Sequence, residues 1–139
     1  MSRTAGEYVR IRGSARYERD LEESLVSDVF EKAGTGGLAA LGLDDCLWAG
    51  TVASIRTLLA QEGATTPGAV CDESGWLARS GDVCPLCGKA TRRTRDVIDE
   101  LVQAVIDEDG SVKHVEAGTK LADRAVAAYL RFPLPRQGG

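Results

Sequence analysis

The residue pattern predicts an α/β sandwich, with helices around a small mixed sheet and one inserted segment. Three observations point there. Apolar residues recur at helical spacing, then as short strand-like runs, then at helical spacing again within the first 60 residues. A strand, a helix and a second strand fit within about 23 residues, the length of a crossover that sets two strands parallel beneath helices. After a glycine- and cysteine-rich break, a helix and two strands follow, giving the order α-β-α-β-(insert)-α-β-β.

Residues 1–13 hold no sustained apolar period and read as an N-terminal tail. From Ser14 the spacing becomes helical: Tyr17, Leu21, Leu25 and Val29 recur every four residues, and Val26 and Phe30 widen the stripe. Seven acidic and six basic residues are mixed through residues 1–33, which describes a solvated opposite face. Ala33-Gly34 is the expected helix end. The run Gly34-Thr35-Gly36-Gly37 lacks the Gly-Lys-Ser/Thr ending and the preceding strand of a phosphate loop, so it reads as a helix stop.

Leu38–Gly42 is a short apolar run and reads as a buried strand. Asp44 and Asp45 place negative charge at the start of a helix reaching about Ala53, with Leu43, Cys46, Leu47 and Val52 apolar. Ser54–Ala60 is rich in strand formers. Past the insert, Val97, Leu101, Val105 and Ile106 mark an amphipathic helix from Asp96 to near Gly110. Ser111–Ala117 alternates as a strand, Leu121–Arg124 reads as a helical turn, and Val126–Phe132 closes the sheet. The expected domain covers residues 14–135, with 136–139 as a second tail.

Composition removes several classes of function. The chain has 139 residues, 43% hydrophobic and 27% charged, which suits one ordinary domain. Seventeen basic against 21 acidic residues give a net charge of −4, and aromatics are only 5%. Both disfavour a protein that binds nucleic acid chiefly by charge or base stacking. No apolar stretch approaches the ~18 residues of a membrane span, and the start, Met1-Ser2-Arg3-Thr4, has no secretory character. A cytoplasmic protein is expected. His114 is the single histidine, so no nucleophile–histidine site has a spare base. It lies in the alternating segment Ser111–Glu116, where a solvated strand position explains it.

Residues 61–95 break the pattern. They hold five of the 16 glycines, two of the four prolines and three of the four cysteines, and look organised by something other than an apolar core. Cys84-Pro-Leu-Cys87-Gly88 places two thiols where one tight turn can offer both to a metal, the glycine supplying the positive φ the turn needs. Cys71-Asp-Glu-Ser74-Gly75 has the same shape, with serine at the second ligand position. The pair resembles a zinc ribbon with one thiolate replaced. The spacing is compatible with a Zn²⁺ site formed by Cys71, Cys84 and Cys87, its fourth ligand being water, Asp72, Glu73, Asp82 or none. It is nearly as compatible with a metal-free hairpin held by Trp76 and Leu77; a disulfide within Cys84–Cys87 or to Cys71 is disfavoured, because a cytoplasmic chain keeps its thiols reduced. Cys46 sits on the apolar face of its helix and reads as a small core residue. The basic run Lys89, Arg92, Arg93 and Arg95 either touches RNA phosphates or offsets the acidic helix that follows it.

Gly42-Leu-Asp-Asp-Cys-Leu-Trp-Ala49 followed by Ser54-Ile-Arg-Thr-Leu-Leu59 resembles the opening of the third, C-terminal domain of eukaryotic and archaeal class-1 peptide chain release factors. The segment from Ala117-Gly-Thr-Lys120 through Ala128-Tyr-Leu-Arg-Phe132 resembles its close, and the likeness spans Ser14–Leu134. It is most similar to bacterial relatives of those factors. The resemblance implies an α/β/α fold similar to kink-turn-binding ribosomal proteins, with a zinc-ribbon minidomain where residues 61–95 fall. It implies docking to a translational GTPase and a minidomain facing the small ribosomal subunit, or ribosome rescue in Pelota-like relatives. Three features depart from the pattern, the first being Ser74 where a cysteine is expected. Peptide release in the family uses a Gly-Gly-Gln loop, whereas Gln137-Gly-Gly139 runs in reverse order; the Gly-Thr-Asn-Glu signature of the RNA binders is replaced by Gly42-Leu-Asp-Asp45. Two carboxylates there repel phosphate. The expectation is an isolated, non-catalytic C-terminal domain that docks a translational GTPase and/or the ribosome. The alternative is a small RNA-binding module using Lys89, Arg92, Arg93 and Arg95.

Overall fold

The computed structural model describes residues 15–116, 121 and 124–135. The chain runs α1 (Ala15–Gly34), β1 (Ala39–Leu41), α2 (Leu43–Thr51), β2 (Ile55–Gln61), β3 (Gly68–Val70), β4 (Leu77–Ala78), β5 (Arg92–Thr94), α3 (Val97–Asp107), β6 (Ser111–Val115) and β7 (Val126–Leu130). Both expected tails, and Ala117–Lys120 of the resemblance, lie outside the described residues.

Four strands form the main sheet in the order β1-β7-β2-β6. The crossover β1-α2-β2 does make parallel strands, but they are not neighbours. The last strand, β7, lies between them and is antiparallel to both, pairing Ala40 with Ala128 on one side and Leu58 with Ala128 on the other. The directly bonded parallel pair is β2 with β6. This insertion corrects the expectation of an adjacent β1–β2 pair. Its physical basis is burial: every residue of β7 is buried, which suits the centre of a sheet rather than its edge.

Strand alternation divides the core in two. Val126, Ala128 and Leu130 face α2 and α3, joined by Ala40, Ile55, Leu58, Leu47, Leu101 and Val105. Ala127 and Tyr129 face α1, joined by Leu59, Val115, Val26 and Val29. With α1 on one face and α2 and α3 on the other, the sheet is the middle of three layers. Within the α1 stripe Val26 and Val29 are fully buried, whereas Leu21 is exposed.

The helix ends follow local chemistry. In α1 the left-handed residue is Gly36, φ 76°, not Gly34, which is still helical. The Gly37 N–H donates to Lys32 O at 2.7 Å and the Gly36 N–H to Ala33 O at 3.3 Å, the paired bonds of a Schellman cap. Helix α3 starts at Asp96, whose carboxylate accepts from the Ile98 and Asp99 N–H groups. The expected turn at Leu121–Arg124 is closed by the Arg124 and Ala125 N–H groups on Leu121 O.

Residues between β2 and α3 carry the second sheet, order β4-β3-β5, antiparallel throughout. Its base is not separate from the main core. Val70 and Leu77 are buried within the α2/α3 cluster, which corrects the reading of this insert as independent of apolar packing. Thr51 of α2 fastens it further: its hydroxyl donates to Leu47 O at 2.9 Å and accepts from the Leu77 N–H at 3.0 Å.

Candidate metal centre

Two tight turns project from this small sheet, and their backbones match bond for bond. In the first, Cys71 N–H donates to Trp76 O (2.9 Å) and Gly75 N–H to Cys71 O (2.8 Å). In the second, Cys84 N–H donates to Lys89 O (2.8 Å) and Gly88 N–H to Cys84 O (2.8 Å). Gly75 and Gly88 stand at φ 83° and 79°, a region open to glycine at little cost. The leading sulfurs accept from backbone amides: Ser74 N–H on Cys71 Sγ at 3.4 Å, Leu86 N–H on Cys84 Sγ at 3.3 Å. Such amides stabilise thiolate charge.

The turns converge. The sulfurs of Cys71, Cys84 and Cys87 lie within 4.8 Å of one another, a three-thiol group able to bind a metal ion. Cys71 Sγ is 3.5 Å from Cys87 Sγ, and all four cysteines of the chain are free thiols. Cys71 and Cys84 are buried with Trp48 and Trp76, while Cys87 is exposed at the surface. Trp76 thus packs against the thiols, so the apolar contact expected of the hairpin stands beside the three-thiol cluster. The Ser74 hydroxyl and then its N–H, with smaller contributions from Cys87 and the Glu73 N–H, hold the Cys71 thiol down at about 6. At Cys87 the Lys89 N–H pulls downward but loses to the Cys71 thiol, burial and Cys84, and the group is pushed up. The two shifts have opposite sign because neighbouring thiols resist carrying charge together.

A borderline-soft dication with tetrahedral preference, Zn²⁺, suits three thiols presented on amide-lined turns. The carboxylates expected as fourth ligands are not part of the cluster among the described residues. Asp72 is engaged elsewhere, accepting from Arg92 Nη2 at 3.0 Å and Nε at 3.1 Å, and Arg92 holds its carboxyl below the usual range. Glu100 also accepts from Arg92, at 3.3 Å. Arg92 is thus a structural clamp between the first turn and α3. Lys89, Arg93 and Arg95 are exposed and form no ion pair among the described residues.

Cys46 is fully buried in α2, donates to Ala40 O at 3.8 Å, and has its thiol pushed up by burial and then by Asp45. It is a core residue, away from the cluster. His114 is exposed on β6, an edge strand. Thr51 carries no motif, and the basic run gave no sign that Arg92 clamps Asp72 and Glu100; Trp48, whose indole N–H donates to Pro135 O at 2.8 Å, was signalled only by its apolar context.

The chain is similar in fold to several solved structures. The C-terminal domain of peptide chain release factor from Methanosarcina mazei superposes with a TM-score of 0.58 at 22% identity, covering 84% of this chain and 85% of that one. The fold is that of a release-factor C-terminal domain. Pelota from Archaeoglobus fulgidus matches over 87% of this chain and 32% of its own, with TM-score 0.55 and 17% identity. An archaeal Pelota described in a ribosome-bound model with ABCE1 matches over 86% and 29%, with TM-score 0.50 and 22% identity. No family model and no curated protein matches the chain. In this release-factor-type fold the cysteine turns stand between β2 and α3, anchored by Leu77 and Thr51.

Proposed function

We propose that this is a non-catalytic docking domain of a translation termination or rescue factor, seated on the ribosome and/or a translational GTPase. The supporting observation is the near-complete overlap, 84% and 85% of the two chains, with the archaeal release-factor domain. Fold likeness alone does not carry activity, which resides in the chemistry of the site. The site here is a cluster of thiols on a docked sheet, and the single histidine lies apart on β6. That arrangement suits a structural metal rather than turnover. The insert is a zinc-ribbon-like minidomain, residues 61–95, in which Cys71, Cys84 and Cys87 hold Zn²⁺ and stiffen the exposed tip bearing Val83 and Leu86. The same reading includes likeness to kink-turn-binding ribosomal proteins and a cytoplasmic setting.

Direct RNA binding by Lys89, Arg92, Arg93 and Arg95 is the lesser reading, because Arg92 is committed to Asp72 and Glu100. Sedimentation of the purified chain with purified ribosomes, at about 0.1 M salt where charges beyond ~10 Å are screened, tests both. Co-sedimentation that free ribosomal RNA does not compete away is expected. Equal, steeply salt-dependent binding to free RNA would transfer the case to the RNA module, and binding to neither would end both.

A further inference from the structure

Resting on the zinc reading above, we propose that the Ser74 hydroxyl is the fourth corner of the metal centre, making it a mixed site of three thiolates and one oxygen. The backbone makes Ser74 and Cys87 equivalent. Each turn bonds residue one to residues five and six in the same way, so Ser74 in the first turn occupies the position of Cys87 in the second. The side chain follows: Ser74 Oγ lies 3.2 Å from Cys84 Sγ, the Ser74 backbone N–H donates to Cys71 Sγ at 3.4 Å, and the Cys71 and Cys87 sulfurs are 3.5 Å apart. Oxygen and sulfur donors on one tetrahedral Zn²⁺, at about 2.0 and 2.3 Å from it, stand at separations of this order.

Ser74 is also held for the task. The Trp76 N–H donates to its oxygen at 3.2 Å, fixing the hydroxyl over the thiols and leaving a lone pair free. Asp72 cannot compete without breaking two bonds to Arg92. A hydroxyl is a harder and weaker donor for zinc than a thiolate, so this corner is the weakest of the four.

The test replaces zinc by Co²⁺ in the full chain and compares absorption and affinity for the wild type, Ser74→Ala, Ser74→Thr and Ser74→Cys. The wild type is expected to show tetrahedral visible bands with sulfur-to-cobalt charge transfer. Ser74→Cys should increase that charge transfer by about a third, four thiolates replacing three, and shift the visible bands to lower energy. Ser74→Ala should bind Co²⁺ at least about tenfold more weakly with altered bands, and Ser74→Thr should restore both. Wild-type bands and affinity retained in Ser74→Ala would overturn the serine corner while leaving a zinc site in place. Absence of tetrahedral bands in the wild type would overturn the zinc reading and this proposal together.

Discussion

Arg92 closes on Asp72 with two nearly parallel bonds, 3.0 and 3.1 Å, and so links β5 to the first cysteine turn. Both side chains are substantially exposed, 46% and 67%, so solvent screens the pair. Arg92→Ala should therefore cost about 1 kcal/mol or less, with the loss shrinking as salt rises. The same geometry divides the basic run. On the RNA-module alternative, Arg93→Gln or Arg95→Gln would each lower the salt slope of ribosome association by about one and Arg92→Gln would leave it unchanged, whereas on the docking reading none of the three lowers it by that amount. A slope that falls most for Arg92→Gln in sedimentation titrations would contradict the clamp.

Trp48 and Trp76 pack with Cys71 and Cys84, so indole emission should report the metal. Chelation is expected to shift tryptophan fluorescence and lower the melting temperature, and added zinc to restore both. At free zinc 100-fold above Kd the stabilisation lost is about 2.7 kcal/mol. Cys84→Ala should abolish the response, while Cys46→Ala, lying in the main core, should retain it. Equal responses from the two variants would separate the fluorescence from the cluster.

Gly50 in α2 is a packing requirement. A Cβ there would overlap Leu101 Cδ1 of α3, and Leu101 is fully buried. Gly50→Ala should destabilise by about 1–3 kcal/mol although alanine is the better helix former by ~1 kcal/mol. Leu101→Ala alone should cost about 2–5 kcal/mol. In the Leu101→Ala background the Gly50→Ala penalty should vanish, because the opened cavity accepts the methyl group. Additive urea-denaturation energies would refute the contact.

These contacts show which parts of the molecule were legible in the residues. The α-β-α-β-insert-α-β-β order was readable because periodicity is local: Val26 and Val29 at helical spacing, and Val97, Leu101 and Val105 after an Asp96 cap. The matching of the two cysteine turns was readable too, since Gly75 and Gly88 stand at equal distance from Cys71 and Cys84. The place of β7 between β1 and β2 was not, because pairing Ala128 with both Ala40 and Leu58 depends on distant strands. Nor was the fourth corner. Spacing left water, Asp72, Glu73, Asp82 or no ligand open, and only the fold shows Arg92 holding Asp72 while Ser74 faces Cys84.

Tyr129 ties the central strand to α1 and gives stability an alkaline limit. Its hydroxyl donates to Asp28 Oδ2 at 2.7 Å, and its ring lies under Arg56 at 5.3 Å. Burial first, then the bond to Asp28 and its charge, push the phenol up to about 12. Because the folded value lies above the ordinary one near 10, the tyrosine's contribution is complete below about pH 10 and is lost as pH rises towards 12. Cys46, also raised by burial, begins the same decline at the lower pH of an ordinary thiol. Tyr129→Phe removes the hydroxyl and should cost about 1 kcal/mol at neutral pH. It should also flatten the stability profile between pH 10 and 12, leaving the Cys46 part intact. Urea midpoints that decline over that interval as steeply in Tyr129→Phe as in the wild type would assign the alkaline limit to another group.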